Sequence, residues 1–161
     1  MLSKIKPLYL RFSGLTLSLE SFALLGLRLM VAREFWRSGL AKVETVELFG
    51  LRLPTPEIQQ NTYMLFAYEY FDGSPEWFTD TAAVLGTIGE LTLPLLLAFG
   101  LFARVGAAGL LVMAAVIQFF VYPDLWWSAH AWWFASLAVL LTAGPGRLSL
   151  DGMLGLLPPR R

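Results

Sequence analysis

Apolar positions along the chain gather into four long runs separated by short polar breaks. The runs cover about 17–36, 79–101, 104–121 and 125–143. Each is near the roughly 20 residues with which a helix, rising about 1.5 Å per residue, crosses some 30 Å of hydrocarbon. None alternates with the period of two expected of a membrane barrel strand, and all exceed the roughly ten residues such a strand needs. Residues 100–104 join the second and third runs, and Tyr122-Pro123-Asp124 joins the third and fourth. Links that short force neighbouring helices to run antiparallel. The pattern predicts an all-α membrane protein, one domain over 1–161, folded as a four-transmembrane-helix up-down-up-down bundle. Gly106, Ala107, Gly109, Ala114 and Ala115 in the third run favour close helix approach.

The long break between the first and second runs, residues 38–78, is far longer than a plain connection between packed helices. Its LPTPE at 53–57 reads as punctuation, and Pro56 suits a helix start. EIQQNTYMLFAYEYF at 57–71 is too short to span and rich in aromatics. It predicts a short interfacial helix in an extended outer loop, either capping the bundle or forming a lid over a pocket.

Composition strengthens the membrane reading. Hydrophobic residues make up 57% of the chain and charged ones 15%, against roughly 25% charged in soluble domains. A soluble domain this small has too little interior to hide so much apolar side chain. Twelve basic and twelve acidic residues cancel, and no basic stripe marks a nucleic-acid surface. The absence of cysteine excludes disulfides, thiolate catalysis and iron–sulfur ligation, and with a single histidine a protein-only metal site would need carboxylates for nearly all its ligands. Lys4, Lys6, Arg11, Arg104, Arg147, Arg160 and Arg161 share one side of a four-span arrangement, which places both termini in the cytoplasm.

Ionisable groups inside the apolar runs are the candidate chemistry, because each costs several kcal/mol in hydrocarbon on insertion scales. Arg28 and Glu90 lie near the middles of the first two runs. Antiparallel helices would bring those midpoints to one depth, so an intramembrane Arg28–Glu90 pair is expected, as a structural clasp or a functional contact. A second polar group comprises Arg33, Gln118 and His130. On a helix His130 shares a face with Trp126, Trp127 and Trp133, which together would make flat walls for a ring-shaped ligand or an interfacial belt. Arg147 and Asp151 are placed to pair if a helical turn follows GPG.

LRLMVAREFWRSGLAK at 27–42, IGELTLPLLLAFGLFARVGAAGL at 88–110 and GPGRLSLD at 144–151 together resemble the DoxX family of small membrane proteins. The matching features are Trp36, Ser38-Gly39 and Lys42 after the first run, Glu90 before Gly100 and Arg104, and the closing Gly-Pro-Gly with Asp151. The resemblance implies a four-helix fold in a bacterial or archaeal cytoplasmic (inner) membrane. It also implies association with quinone-linked oxidoreductases or with membrane complexes handling thiol and oxidative stress.

The leading expectation is a membrane subunit of a redox system that binds quinone or quinol, with no redox centre or intrinsic cofactor of its own. Arg28, Glu90 and His130 are its expected proton-handling contacts. Arg33, Gln118, Trp126, Trp127 and Trp133 are its expected pocket, and no metal is involved. Expected partners are membrane lipids and a protein partner or further copies of the chain. A non-enzymatic anchor or assembly partner is the alternative, and a small transporter a third class.

Overall fold

The computed structural model describes residues 2–157, with side chains from residue 19 onward. Lys4, Lys6, Arg11, Arg160 and Arg161, on which part of the expected orientation rests, lie outside the residues whose side chains are described. The chain forms α1 (Leu2–Leu40), a hairpin of β1 (Val43–Leu48) and β2 (Leu51–Ile58), α2 (Gln60–Leu65), α3 (Glu76–Phe99), α4 (Ala103–Val116), α5 (Ala131–Ala143) and a one-turn α6 (Leu150–Met153). Three π-helical turns, Phe66–Tyr70, Ile117–Val121 and Trp126–His130, extend α2, extend α4 and lead into α5.

The long helices close a ring, α1 on α3, α3 on α4, α4 on α5 and α5 back on α1. Leu24, Val31, Phe35, Leu97, Leu110 and Leu137 fill its centre. Their directions alternate, as the short links require: Gly39 packs on Leu91 while Arg28 reaches Gly100, and Gly106 packs on Leu93 and Leu96. Glu76–Phe99 and Ala103–Val121 are long and apolar enough to cross a membrane, and only 28% of the most apolar 18-residue stretch of each is buried. Most of their apolar surface thus faces outward, as lipid permits and water would not.

The all-α expectation needs correction over 43–58. Thr45 to Leu48 alternate polar and apolar residues beyond an irregularity in pairing between Val43 and Thr45, and Phe49-Gly50 turns the chain with φ of 51° and 77°. Two consecutive positive φ values define the turn that suits a two-residue hairpin. Pro54 and Pro56 sit within β2, which a two-stranded hairpin tolerates because both its strands are edges. The short helix expected within 57–71 is present as α2 and its π turn. The fourth apolar run is helical but broken, its first turn π-helical and α5 beginning only at Ala131.

The α3–α4 turn is fastened by the segment after α5. Asp151 accepts from the backbone N–H groups of Phe102 (2.8 Å) and Ala103 (3.0 Å), satisfying donors that the start of α4 leaves open. Ser149 caps α6 by accepting from the Gly152 N–H at 3.0 Å. The expected Arg147–Asp151 pairing is replaced by this use of the carboxylate. Arg28 is fully buried here, its Nη2 donating to the Leu148 carbonyl. Its Nη1 lies so close to Gly100 that any side chain there would collide with it. Gly100 also ends α3 at φ 68°, a left-handed conformation that glycine adopts without steric cost.

Gly100→Ala should therefore lower stability by roughly 1–3 kcal/mol, combining strain with displacement of Arg28. Asp151→Ala should cost about 1–2 kcal/mol through loss of the cap. Thermal unfolding of the purified protein in detergent measures both, and unchanged melting of either variant would remove its residue from this fastening.

Candidate functional site

The α1 helix stops at Leu40, level with the middle of α3, and this termination creates the site. Lys42, two residues beyond the helix end, donates from Nζ to Glu90 Oε2 at 2.6 Å and to Ser38 Oγ at 2.9 Å. Both charged side chains are nearly buried. The Lys42 carbonyl accepts from the Thr62 hydroxyl (2.9 Å) and from the Gln59 N–H (3.0 Å), which docks α2 beside the pair. Beyond this point α1 no longer accompanies α3. The space it vacates is closed by the π turn after α2, where Phe66 packs against Gly86.

A cavity of about 630 Å³ occupies that space. Lys42 and Glu90 form part of its wall, His130 and Trp133 another part, and Tyr70 and Tyr122 a third. Every one of the three π turns contributes lining, through Phe66 and Tyr70, Ile117 and Val121, and Ala129 and His130. Such turns often mark functional sites because they displace side chains from the regular helical register. Leu85 and Val112 line the cavity yet are 63% and 66% exposed, so it opens sideways between α3 and α4. A hollow of about 930 Å³ between α2 and the start of α3 is lined by Tyr63, Asp72, Glu76 and Asp80, and holds none of the residues singled out from sequence.

The second polar pair has a defined proton arrangement. Gln118 Nε2 donates to the Pro123 carbonyl at 2.7 Å, which orients its amide. Gln118 Oε1 then faces His130 Nδ1 at 2.6 Å, so Nδ1 carries the hydrogen. In the neutral ring Nε2 is left as the acceptor. The His130 ring lies against Trp133, centroids 4.8 Å apart, and Trp133 packs on the buried Phe35 at 5.2 Å. Tyr70 and Tyr122 meet edge to face at 5.9 Å, their hydroxyls 3.4 Å apart. Burial, the contact with Tyr122 and the carboxylates of Glu90 and Glu69 all raise the Tyr70 phenol above its ordinary range, so it stays protonated.

Of the residues expected from sequence, Glu90, His130 and Trp133 line the cavity, and Gln118 is bound to His130 behind its wall. The expected Arg28–Glu90 pair does not form. Arg28 is held at the α3–α4 turn by Leu148, with Asp151 supplying a favourable charge, while Glu90 takes Lys42. The expectation equated the midpoints of two apolar runs, but packing sets α1 against α3 with Arg28 opposite Gly100 and Gly39 opposite Leu91. Arg33 is exposed and pairs with Glu34 at 3.1 Å. Trp127 is 88% exposed, and Trp126 packs at a tilt on Phe134, centroids 5.2 Å apart, away from the cavity lining. Lys42, Ser38, Tyr70 and Tyr122 were not among the expected site residues. The signal for Lys42 lay in the motif of Trp36, Ser38-Gly39 and Lys42 shared with the DoxX family, which carried no role for the lysine.

The DoxX family model matches residues 23–123 of the chain. No curated protein and no solved structure matches it.

Removing one member of the Lys42–Glu90 pair leaves the other charge buried and uncompensated. Lys42→Met or Glu90→Leu alone should destabilise by about 3–5 kcal/mol, and the double variant by clearly less than either. Unfolding measurements on the four proteins of this cycle give the coupling. Additive losses would mean that the two groups act independently.

Proposed function

We propose a function from one established premise, that the chain belongs to the DoxX family of membrane proteins: it is the membrane subunit of a redox system and holds a quinone or quinol in the cavity beside Lys42–Glu90 and His130–Gln118. The observation that carries this reading is an apolar cavity, open sideways to the lipid phase, with the Lys42–Glu90 pair and His130, held from behind by Gln118, in its walls. Its volume falls within the roughly 300–1,000 Å³ usual for small-molecule sites, which are mostly apolar with a few placed polar groups.

The two pairs offer complementary chemistry. The Lys42 ammonium is a donor suited to a quinone carbonyl, and His130, with Nδ1 committed to Gln118, offers an acceptor suited to a quinol hydroxyl. Tyr70 adds a neutral hydroxyl. Reduction of a quinone consumes two electrons and two protons. In this reading the electrons arrive from a partner oxidoreductase, and Lys42, Glu90 and His130 bind the ring and relay protons. Arg28, buried at the α3–α4 turn, takes no part in that chemistry.

The same reading carries α3 and the α4 helix with its π turn across a cytoplasmic membrane, with α1 and α5 packed beside them. Arg104 and Arg147 stand at the α3–α4 turn end, which favours cytoplasmic placement of that end and of both termini.

Protein purified in mild detergent should co-purify with quinone, and added quinone should raise its melting temperature. Glu90→Gln and His130→Ala should each weaken quinone binding roughly 10- to 100-fold, the range expected on losing a hydrogen bond to a charged or buried polar group. Arg33→Ala, at an exposed position outside the cavity, should bind as the wild type does. Absence of bound quinone together with no thermal shift would overturn the reading, and intact binding in both cavity variants would move the site elsewhere.

A further inference from the structure

The α3 and α4 helices pack closely over only part of their length. Near their shared turn, Gly106 lies on the backbone of Leu93 and Leu97, and Gly109 lies on the Leu93 side chain. Farther along, Gly89 receives the methyl group of Met113. Gly86, three residues before Gly89, shares its face of α3. A Cβ there would meet only Phe66, from the π turn after α2, with no atom of α4 within 4 Å. Met113 on Gly89 thus forms the floor of a slot that opens between the two helices above it.

The cavity beside Lys42–Glu90 reaches this slot from within. Of the cavity-lining residues on α3 and α4, only Glu90 carries a polar side chain. Leu85 on α3 and Val112 on α4 line the cavity and also face outward, 63% and 66% exposed. Lys42, Glu90 and His130 are buried behind them. At the outer end Tyr70 meets Tyr122 edge to face. Polar groups therefore stand at the back of the cavity and apolar ones at its mouth. Leu85 lies nine residues after Glu76, about 14 Å along a helix of 24 residues that rises about 36 Å in all. Against a hydrocarbon layer of roughly 30 Å, that depth puts the mouth among acyl chains, below the headgroups.

We propose that the slot is a portal for a hydrocarbon tail, so that the cavity selects amphiphiles. The polar ring sits inside, and a long tail leaves between Leu85 and Val112 into the surrounding lipid. This rests on the reading of the cavity as a quinone site and adds which quinones it takes. A cavity of about 630 Å³ suits a drug-sized body. A tail reaching even half of the roughly 30 Å hydrocarbon layer cannot be folded in beside a ring, and must leave. The slot lets it leave past apolar side chains alone. Lipid is as apolar as the tail, so preference for a tailed ligand comes from packing against Leu85, Val112 and Met113 and not from a hydrophobic driving force. Leu85 and Val112 are thereby specificity-determining residues.

The probes are a tailless dimethoxy-methyl-benzoquinone and the same ring carrying a decyl tail. Each is titrated against full-length protein in phosphatidylglycerol nanodiscs, with binding read from the shift in melting temperature. All proteins share one lipid, so partition of each probe is common to them. Leu85→Trp and Val112→Trp each narrow the mouth from a lipid-facing position. Ile88→Trp, at a residue of α3 that is 50% exposed and outside the cavity lining, is the control. Melting temperatures without ligand near that of the wild type establish that the variants are folded. Each mouth variant should weaken the decyl probe roughly tenfold or more and the tailless ring less than about twofold, with Ile88→Trp unchanged for both. Binding of the decyl probe alone by the wild type, lost in the mouth variants and kept in Ile88→Trp, would also support the portal. Unaltered decyl binding in both mouth variants, or equal loss of both probes, would overturn the portal and leave the quinone site standing. A wild type that binds neither probe would bring down the quinone reading and the portal with it.

Discussion

A lysine ammonium and a glutamate carboxylate, both removed from water, organise the upper half of this bundle. Neither ion is tolerable alone in a low-dielectric interior, and their contact at 2.6 Å ties the end of α1 to the middle of α3. Once Lys42 is bound to Glu90, α1 cannot continue alongside α3 to its full height. The chain instead turns out into the hairpin, and the Lys42 carbonyl receives Thr62 and Gln59 from the start of α2. Cavity, hairpin and returning segment all follow from where that one pair stops the first helix.

The void left by α1 is roofed rather than filled. Phe66, Tyr70 and Phe71 come over it from the returning segment, and the π turns of the two last helices present Ile117, Val121 and His130 to it. A regular α-helix would carry these side chains on around its surface, whereas the extra residue of a π turn re-aims them. His130 and Gln118 belong to different helical segments and meet only because both turns bulge toward the same space.

At the far end the design is different, with packing and backbone hydrogen bonds in place of a cavity. Arg28 fills the space beside Gly100 and binds the Leu148 carbonyl, and Asp151 closes the start of α4. The stretch from Gly144 to Asp151 thus acts as a strap holding α1, α3 and α4 in register. The fixed lower end and the ion pair above it define how far α1 is displaced along α3.

Much of this was legible along the chain. Runs of apolar residues joined by very short links determine antiparallel helices with lipid-compatible surfaces, because helix length and link length are local quantities. Glu90, Gln118, His130 and Trp133 stood out as candidate site residues because polar or aromatic groups inside apolar runs must find partners. The hairpin left only the short alternation from Thr45 to Leu48 in the sequence, obscured by two prolines that read as loop. Which cation meets Glu90 was not legible. That choice depends on the axial offset between α1 and α3, which is set by contacts such as Gly39 on Leu91 and Arg28 on Gly100, over 50 residues apart in the chain. An apolar run shows how long a helix is, not how far it slides past its neighbour, so the tertiary packing alone gave Glu90 to Lys42 and sent Arg28 to the strap.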